Sequence, residues 1–369
     1  MSEGARFPGR PRRVLIVRLS AIGDTILTTP LLAAIKDAMP DVEVDWVIEP
    51  KSRPILDMAE GLSRIHVFPR LLKLSQIARA PGKLPVLLRD LRALRAEMAG
   101  RQYDLCFDVQ GLIKSGVASG ISGARWKVGW RAADSRELNW MFTSDRLRMP
   151  KGVHVVDAWL SMLGVIGLPA TPARFPLRTP AEALRAARDY IESLGPSGPI
   201  VIMNVGSSKP DRRWPAERFA EVARMAHSQT KALCVFTWGN DSEKELAGMA
   251  VEQAGEAGVL SLKTDLFLLA GLIRHADAFV GGDTGPMHLA AALGTPVAGV
   301  FGVSSAWRTG PYGPAHVTVE APAAEAKGRR SPMDVIPPQD VYTALSGILS
   351  RGSGHFRRQA VIGAPAAGG

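Results

Sequence analysis

The stretch VLIVRLSAIGDTILTTPLL, residues 14–32, runs from a β-branched segment through a glycine turn into a helical pattern. With its flanks, RVLIVRL (13–19) reads as a strand and TILTTPLLAAIKDAM (25–39) as an amphipathic helix ended by Pro40. A strand that feeds a helix through a tight turn is the opening half of a parallel βαβ unit. Two charges, Arg18 and Asp24, sit beside this otherwise apolar run. Asp24 opens the helix, so it either caps the N-terminus or takes a proton from a substrate hydroxyl.

The alternation continues outward. VEVDWVIE (42–49) reads as a second strand, residues 69–85 are basic and poorly patterned, PVLLRDLRALRAEMAG (85–100) is a helix and YDLCFDVQ (103–110) a strand. At LPATPARFPLRTPA (168–181) four prolines mark a linker. Beyond it, PIVIMNVG (199–206), ALCVFTWG (232–239), GVLSL (258–262), AFVGG (278–282) and PVAGVFG (296–302) read as strands. They alternate with helical PAERFAEVARMAHSQ (215–229), DSEKELAGMAVEQAG (241–255), LFLLAGLIRHA (266–276) and GPMHLAAALG (285–294), and a last helix lies near PQDVYTALSGILS (338–350). The pattern predicts an α/β chain of two doubly wound domains, 1–172 and 173–350, with a disordered tail over 351–369. The last helix is free in this reading to pack back on the first domain. In open parallel sheets ligands bind at the carboxyl ends of the strands, so chemistry is expected in a cleft between two such domains.

Composition narrows the class. Hydrophobic residues at 46% and charged residues at 22% describe a globular protein. The two cysteines, Cys106 and Cys234, lie in apolar runs without metal-ligand spacing and read as core residues in a reducing compartment. The first residues lack the h-region of a secretory signal, and no apolar stretch reaches the ~18 residues of a membrane span, which places the protein in the cytoplasm. The net charge of +10 is unevenly distributed: residues 1–180 hold 27 Lys and Arg against 17 Asp and Glu, and the remainder is balanced. The first half is therefore the one suited to an anionic partner. No zinc finger, RNP-like segment or aromatic-interleaved basic helix points to nucleic acid.

Five strand-to-helix loops carry the candidate residues. VGGDTGPMHLAAALG (280–294) places Asp283, Thr284 and Gly285 at a helix start, either as caps or as a phosphate-binding turn, with His288 one turn in. NVGSSKPDRRWP (204–215) supplies Ser207 and Ser208 as hydroxyl donors and Arg212 as a bidentate fork. Its Lys209 and Arg213 read as solvated, and Trp214 as a packing residue. Glu243, in TWGNDSEKE (237–245), either accepts from a ribose or sugar or favours its helix terminus. In the first half, DVQGLIKSG (108–116) places Asp108, Gln110, Lys114 and Ser115 around a turn, and GWRAADSRE (129–137) adds Arg131, Arg136 and Glu137. With Arg70 and Lys73 these form a candidate cationic surface for an acidic acceptor.

Taken together, RLSAIGDTILTTPLL, WVIE, YDLCFDVQGLIKSG, GWRAADSRE, SSKPDRRWP and GGDTGPMHLAAALGTPVAGVFG resemble glycosyltransferase family 9 over roughly residues 13–313. The likeness is to its ADP-heptose:lipopolysaccharide heptosyltransferases, most of all the heptosyltransferase I type. The resemblance implies a GT-B fold and inverting, metal-independent transfer of heptose from ADP-heptose, without a cofactor, to an anionic lipid-linked acceptor such as Kdo-lipid A. That acceptor implies work at the inner face of the cytoplasmic membrane as a peripheral protein. The family's catalytic base falls on Asp24. Its donor contacts fall on Ser207, Ser208, Arg212, Glu243, Asp283, Thr284, Gly285 and His288, and its acceptor contacts on Arg70, Lys114 and Arg136. Arg212 stands where the family has lysine, which keeps charge but changes hydrogen-bond geometry, and Thr264 stands where heptosyltransferase I has a methionine near the base. Another nucleotide-sugar transferase or epimerase, and a nucleotide-sugar-binding protein without turnover, are the competing readings.

Overall fold

Buried β-branched segments assemble into two parallel sheets, one in each of two compact units that meet in sequence at Arg178 and Thr179. A computed structural model describes residues 6–69, 82–169, 171–207, 209–302, 304–322, 325 and 331–352.

In the first unit the described elements are β1 (Arg13–Val17), α1 (Ile22–Ala38), β2 (Glu43–Ile48), α2 (Arg53–Asp57), β3 (Arg64–Val67) and α3 (Lys83–Ala99). They continue as β4 (Leu105–Asp108), α4 (Ile113–Ile121), β5 (Trp126–Trp130), β6 (Asp145–Leu147) and α5 (Val155–Leu160). The strand order is β3-β2-β1-β4-β5-β6, all parallel. Val14 to Val17 are fully buried, so β1 reads as an unbroken apolar run, as a central strand covered on both faces must. The proline-rich segment read as a linker is tied to this unit: Glu60 N–H donates to Pro176 O at 2.8 Å and Arg178 N–H to Met58 O at 2.8 Å.

The second unit repeats the plan. Its elements are α6 (Ala181–Ser193), β7 (Ile200–Asn204), α7 (Ala216–Thr230), β8 (Leu233–Phe236), α8 (Asp241–Ala254) and β9 (Gly258–Leu260). Then come α9 (Leu266–Arg274), β10 (Ala278–Gly282), α10 (Gly285–Ala292), β11 (Val297–Phe301), α11 (Ala306–Thr309), β12 (Val317–Glu320) and α12 (Pro338–Gly352). The order β12-β11-β10-β7-β8-β9 is the first unit's order read from the other edge. In each sheet the chain reverses direction of growth between two central strands, β1 and β4 in one, β7 and β10 in the other. Loops leaving those strands diverge to opposite faces and leave a crevice at their carboxyl ends. Val341, Leu345 and Ile348 of α12 join the core formed by Val201, Met203, Phe219 and Phe236, so the last helix packs within its own unit. That helix includes Arg351 and Gly352; the rest of the expected tail lies outside the described residues.

One buried network braces the first sheet away from its carboxyl edge. Asp45 of β2 is wholly buried and accepts from Tyr103 Oη at 2.6 Å and Arg101 Nε at 2.8 Å, with His66 Nε2 at 3.4 Å. Burial pushes the Asp45 carboxyl up, but hydrogen bonds from His66, Arg101 and Tyr103 outweigh it and hold the group below its ordinary value. A carboxyl depressed on folding stabilises the protein above its unfolded value, about 3.9, and loses that contribution as pH falls through the folded value. Asp45→Asn is therefore expected to be clearly less stable than the native protein in urea at pH 7, with the gap narrowing as the solution is taken toward pH 4 and below. A gap of constant size across that range would contradict the assignment.

Candidate active site

The helix after β1 starts earlier than its sequence suggests. α1 begins at Ile22 with Ala21 in the cap position, which puts Asp24 in the first helical turn rather than before it. Its Oδ2 accepts the Ala21 N–H at 3.3 Å and pairs with Arg18 Nη2 at 2.7 Å. A carboxylate there complements the helix dipole as well as the cation. Asp24 is 45% exposed at its side chain, whereas Arg18 is 8% exposed.

From β4 the chain turns at Gly111, whose φ of +70° favours glycine. Asp108 and Ser115, two of the polar candidates here, face inward as scaffold. Asp108 is wholly buried and accepts the Gln110 and Gly111 N–H groups and Asn139 Nδ2 at 2.7 Å. Burial raises its pKa, opposed by the hydrogen bonds from Asn139 and Ser115. Ser115 Oγ bonds its own turn at Leu112. Gln110 Oε1 accepts the Leu19 N–H at 2.7 Å, and Lys114 Nζ reaches Ser20 Oγ and Glu49 Oε1, both at 2.7 Å. The structure thus brings Lys114 to the Ser20–Asp24 turn, already balanced by Glu49. Arg136 is exposed, with its backbone N–H on Gly111 O. Arg131 is paired with Asp134 at 2.6 Å and Glu137 receives the Ile113 N–H at 2.7 Å, so both serve the loop's own architecture. Arg70 and Lys73 lie outside the described residues.

In the second unit the crevice is lined from β7 and β10. Asp283 does not cap α10: its Oδ2 is held by Arg212 Nη1 at 2.6 Å and its Oδ1 by His288 Nε2 at 3.3 Å. Burial pushes the Asp283 carboxyl up, but the hydrogen bond and charge of His288, with Ser304 and Arg212, bring it below the usual range. Thr284 occupies the cap position yet turns its hydroxyl to Gly282 O at 3.2 Å and Asn204 Oδ1 at 3.4 Å. Among the described residues no side chain caps α10, so the N-terminus opening at Gly285 leaves its backbone and positive dipole end able to take an anion.

Ser207 is buried, and its Oγ accepts the Lys209 N–H at 3.2 Å; Ser208 lies outside the described residues. Lys209 is exposed, but Arg213, expected to be solvated, donates to Ser207 O at 3.0 Å and braces the loop. Trp214 is a packing residue, buried edge-on against Phe219. Glu243 accepts the Gly239 N–H at 2.9 Å and lies against Gly206, where a Cβ would meet its Cγ at 2.8 Å; only glycine allows that approach. Thr264 is buried and bonds Trp238 O at 2.7 Å.

Sequence reading noted Arg18 without giving it a role, and overlooked Glu49 and Ser304. A lone cation at the end of an apolar strand was the available signal for Arg18; Glu49 ends its strand in the same way, and Ser304 gave none. Because Asp283 is a largely buried acceptor for Arg212 and His288, Asp283→Ala is expected to destabilise the second unit by about 1–3 kcal/mol in urea unfolding. A change within experimental error would mean that Arg212 and His288 do not depend on it.

Comparison with known proteins agrees with this architecture. Residues 91–335 match the model of glycosyltransferase family 9 (heptosyltransferase). The lipopolysaccharide core heptosyltransferase OpsX of Haemophilus influenzae is 26% identical over 313 residues, covering 83% of each protein. Lipopolysaccharide heptosyltransferase 1 of Pseudomonas aeruginosa is 28% identical over 311 residues, covering 83% of this chain and 82% of that protein. The structure of E. coli heptosyltransferase WaaC with ADP superposes with a TM-score of 0.73 at 24% identity, over 91% of this chain and 99% of the other, a likeness of fold. The chain is a glycosyltransferase and belongs to glycosyltransferase family 9.

Proposed function

We propose that the enzyme moves a heptose from ADP-heptose to an anionic, lipid-linked acceptor of the lipopolysaccharide inner core, with inversion and without a metal ion or cofactor. The observation that carries this reading is the opposite chemistry of the two crevices. One presents a carboxylate with an oxygen to spare, the other an uncapped helix N-terminus beside a fixed guanidinium.

In the second unit the diphosphate lies at Thr284 and Gly285, contacted by Ser207, Ser208 and Arg212, with Asp283 and His288 holding Arg212 and the turn in place. Glu243 takes the ribose hydroxyls and Thr264 borders the base. As the bond from the anomeric carbon to the phosphate oxygen breaks, its electron pair leaves with ADP. The growing charge falls on donors that are already oriented, which is where preorganisation lowers a barrier. Arg212 and the helix dipole supply the positive counterpart that a metal ion supplies in other transferases.

In the first unit Asp24 accepts the proton of the acceptor hydroxyl as its oxygen bonds to the anomeric carbon. Arg70, Lys114 and Arg136 hold the anionic acceptor. The positive excess of residues 1–180 suits both that acceptor and an anionic leaflet, at the inner face of the cytoplasmic membrane. No helix among the described residues is long and apolar enough to cross a membrane, so the association proposed is peripheral.

Two measurements test the reading. ADP is expected to raise the melting temperature more than UDP or GDP, equally with Mg²⁺ or EDTA; at a hundred times Kd the stabilisation is about 2.7 kcal/mol. A preference for UDP, or a shift seen only with Mg²⁺, would contradict it. Asp24→Asn, which keeps shape and a hydrogen-bond acceptor for Arg18, is expected to lose about 100–10,000-fold in turnover with the ADP shift intact. Near-native turnover would return Asp24 to a capping role.

A further inference from the structure

Among the described residues, the hydrogen bond of the Asp24 carboxylate and its shortest ion-pair contact fall on one oxygen. Oδ2 meets Arg18 Nη2 and the Ala21 N–H, while Oδ1 has no hydrogen-bond partner among the described residues. We propose that Arg18 is a positioning residue for the reaction: it fixes Asp24 through Oδ2 and so leaves Oδ1 as the oxygen that receives the proton.

The geometry around Arg18 is built from three separate elements. Its backbone leaves β1, and its carbonyl accepts Trp46 Nε1–H of β2 at 3.0 Å. Its guanidinium lies over the Trp159 ring of α5, 4.7 Å from the centroid. A planar fork stacked on an indole has its direction set, which a flexible ammonium does not. Among the described residues the Nε of Arg18 is buried without a hydrogen-bond partner, and the guanidinium's ion pair is the one to Asp24. The other cation near this turn, Lys114, is engaged with Ser20 and Glu49 instead. A buried cation left without its carboxylate is strongly unfavourable, so the pair restrains Asp24 as firmly as Asp24 restrains Arg18.

A purely structural ion pair would share this geometry, and a double-mutant cycle separates the two roles. Arg18→Met is expected to lower kcat about 100-fold, the scale on which a reacting group displaced by an ångström loses rate, with KM for ADP-heptose little changed. Arg18→Lys, with the charge but not the fork, is expected to recover part of that loss. In the Asp24→Asn background Arg18→Met should have no further effect, because nothing remains to be positioned. Trp159→Leu, which removes the platform and keeps the cation, should repeat that pattern, a loss beside Asp24 and no further loss beside Asp24→Asn, if Arg18→Met proves too unstable to purify.

The proposal rests on Asp24 as the base, and the cycle keeps the two failures apart. Equal losses from Arg18→Met in both backgrounds, or a fall in kcat that only tracks a loss of folded protein by near-UV circular dichroism, would overturn the positioning role alone. Native turnover in Asp24→Asn by itself would overturn the base assignment and the positioning role with it.

Discussion

A parallel sheet whose strand order reverses at its centre cannot cover the carboxyl ends of the two strands flanking the reversal. That constraint operates twice in this chain, between β1 and β4 and between β7 and β10, and the candidate chemistry falls on the loops it leaves open. Arg18, Ser20 and Asp24 leave β1 where Gln110 and Lys114 leave β4. Ser207 and Arg212 leave β7 where Asp283, Thr284 and Gly285 leave β10. Backbone amides and a helix terminus come with such a crevice automatically; the side chains decide what enters it.

The two crevices treat charge alike. Desolvating an ion costs several kcal/mol unless a partner is waiting, and here each buried charge has one. Arg18 has Asp24 and the face of Trp159. Asp283 has Arg212 and His288, which explains a carboxylate beside a proposed anion site: it gives Arg212 a direction while the α10 terminus keeps its dipole. Asp108, whose pKa burial raises, is held in the β4 loop by neutral donors, Asn139 and two backbone amides. Rigid loops result, as a preorganised site needs.

Much of this was legible in the chain. The central strands β1, β7, β10 and β11 announce themselves because strands covered on both faces are apolar throughout. The edge strands β3 (RIHV), β6 (DRL) and β12 (VTVE) do not, since they are short and half exposed. Helix α4, IKSGVASGI, passes as a turn because two glycines and two serines mask its period, and α6 was overshadowed by the prolines before it. Asp24, Arg212 and Asp283 were visible as polar residues at strand-to-helix junctions. Which partners they take was not: Arg18 meets Trp159 across 141 positions and Arg212 meets Asp283 across 71, and no local pattern encodes such pairings.

The proposed reaction is a single displacement in which one carboxylate serves as base and no protein group becomes bonded to the sugar. The most direct test is the anomeric configuration of the product formed from ADP-heptose, read by NMR coupling at the transferred sugar's anomeric carbon. Inversion relative to the donor is the predicted result. Retention would mean either a double displacement through a covalently bound sugar or attack on the face that ADP leaves, and would contradict the proposed single displacement.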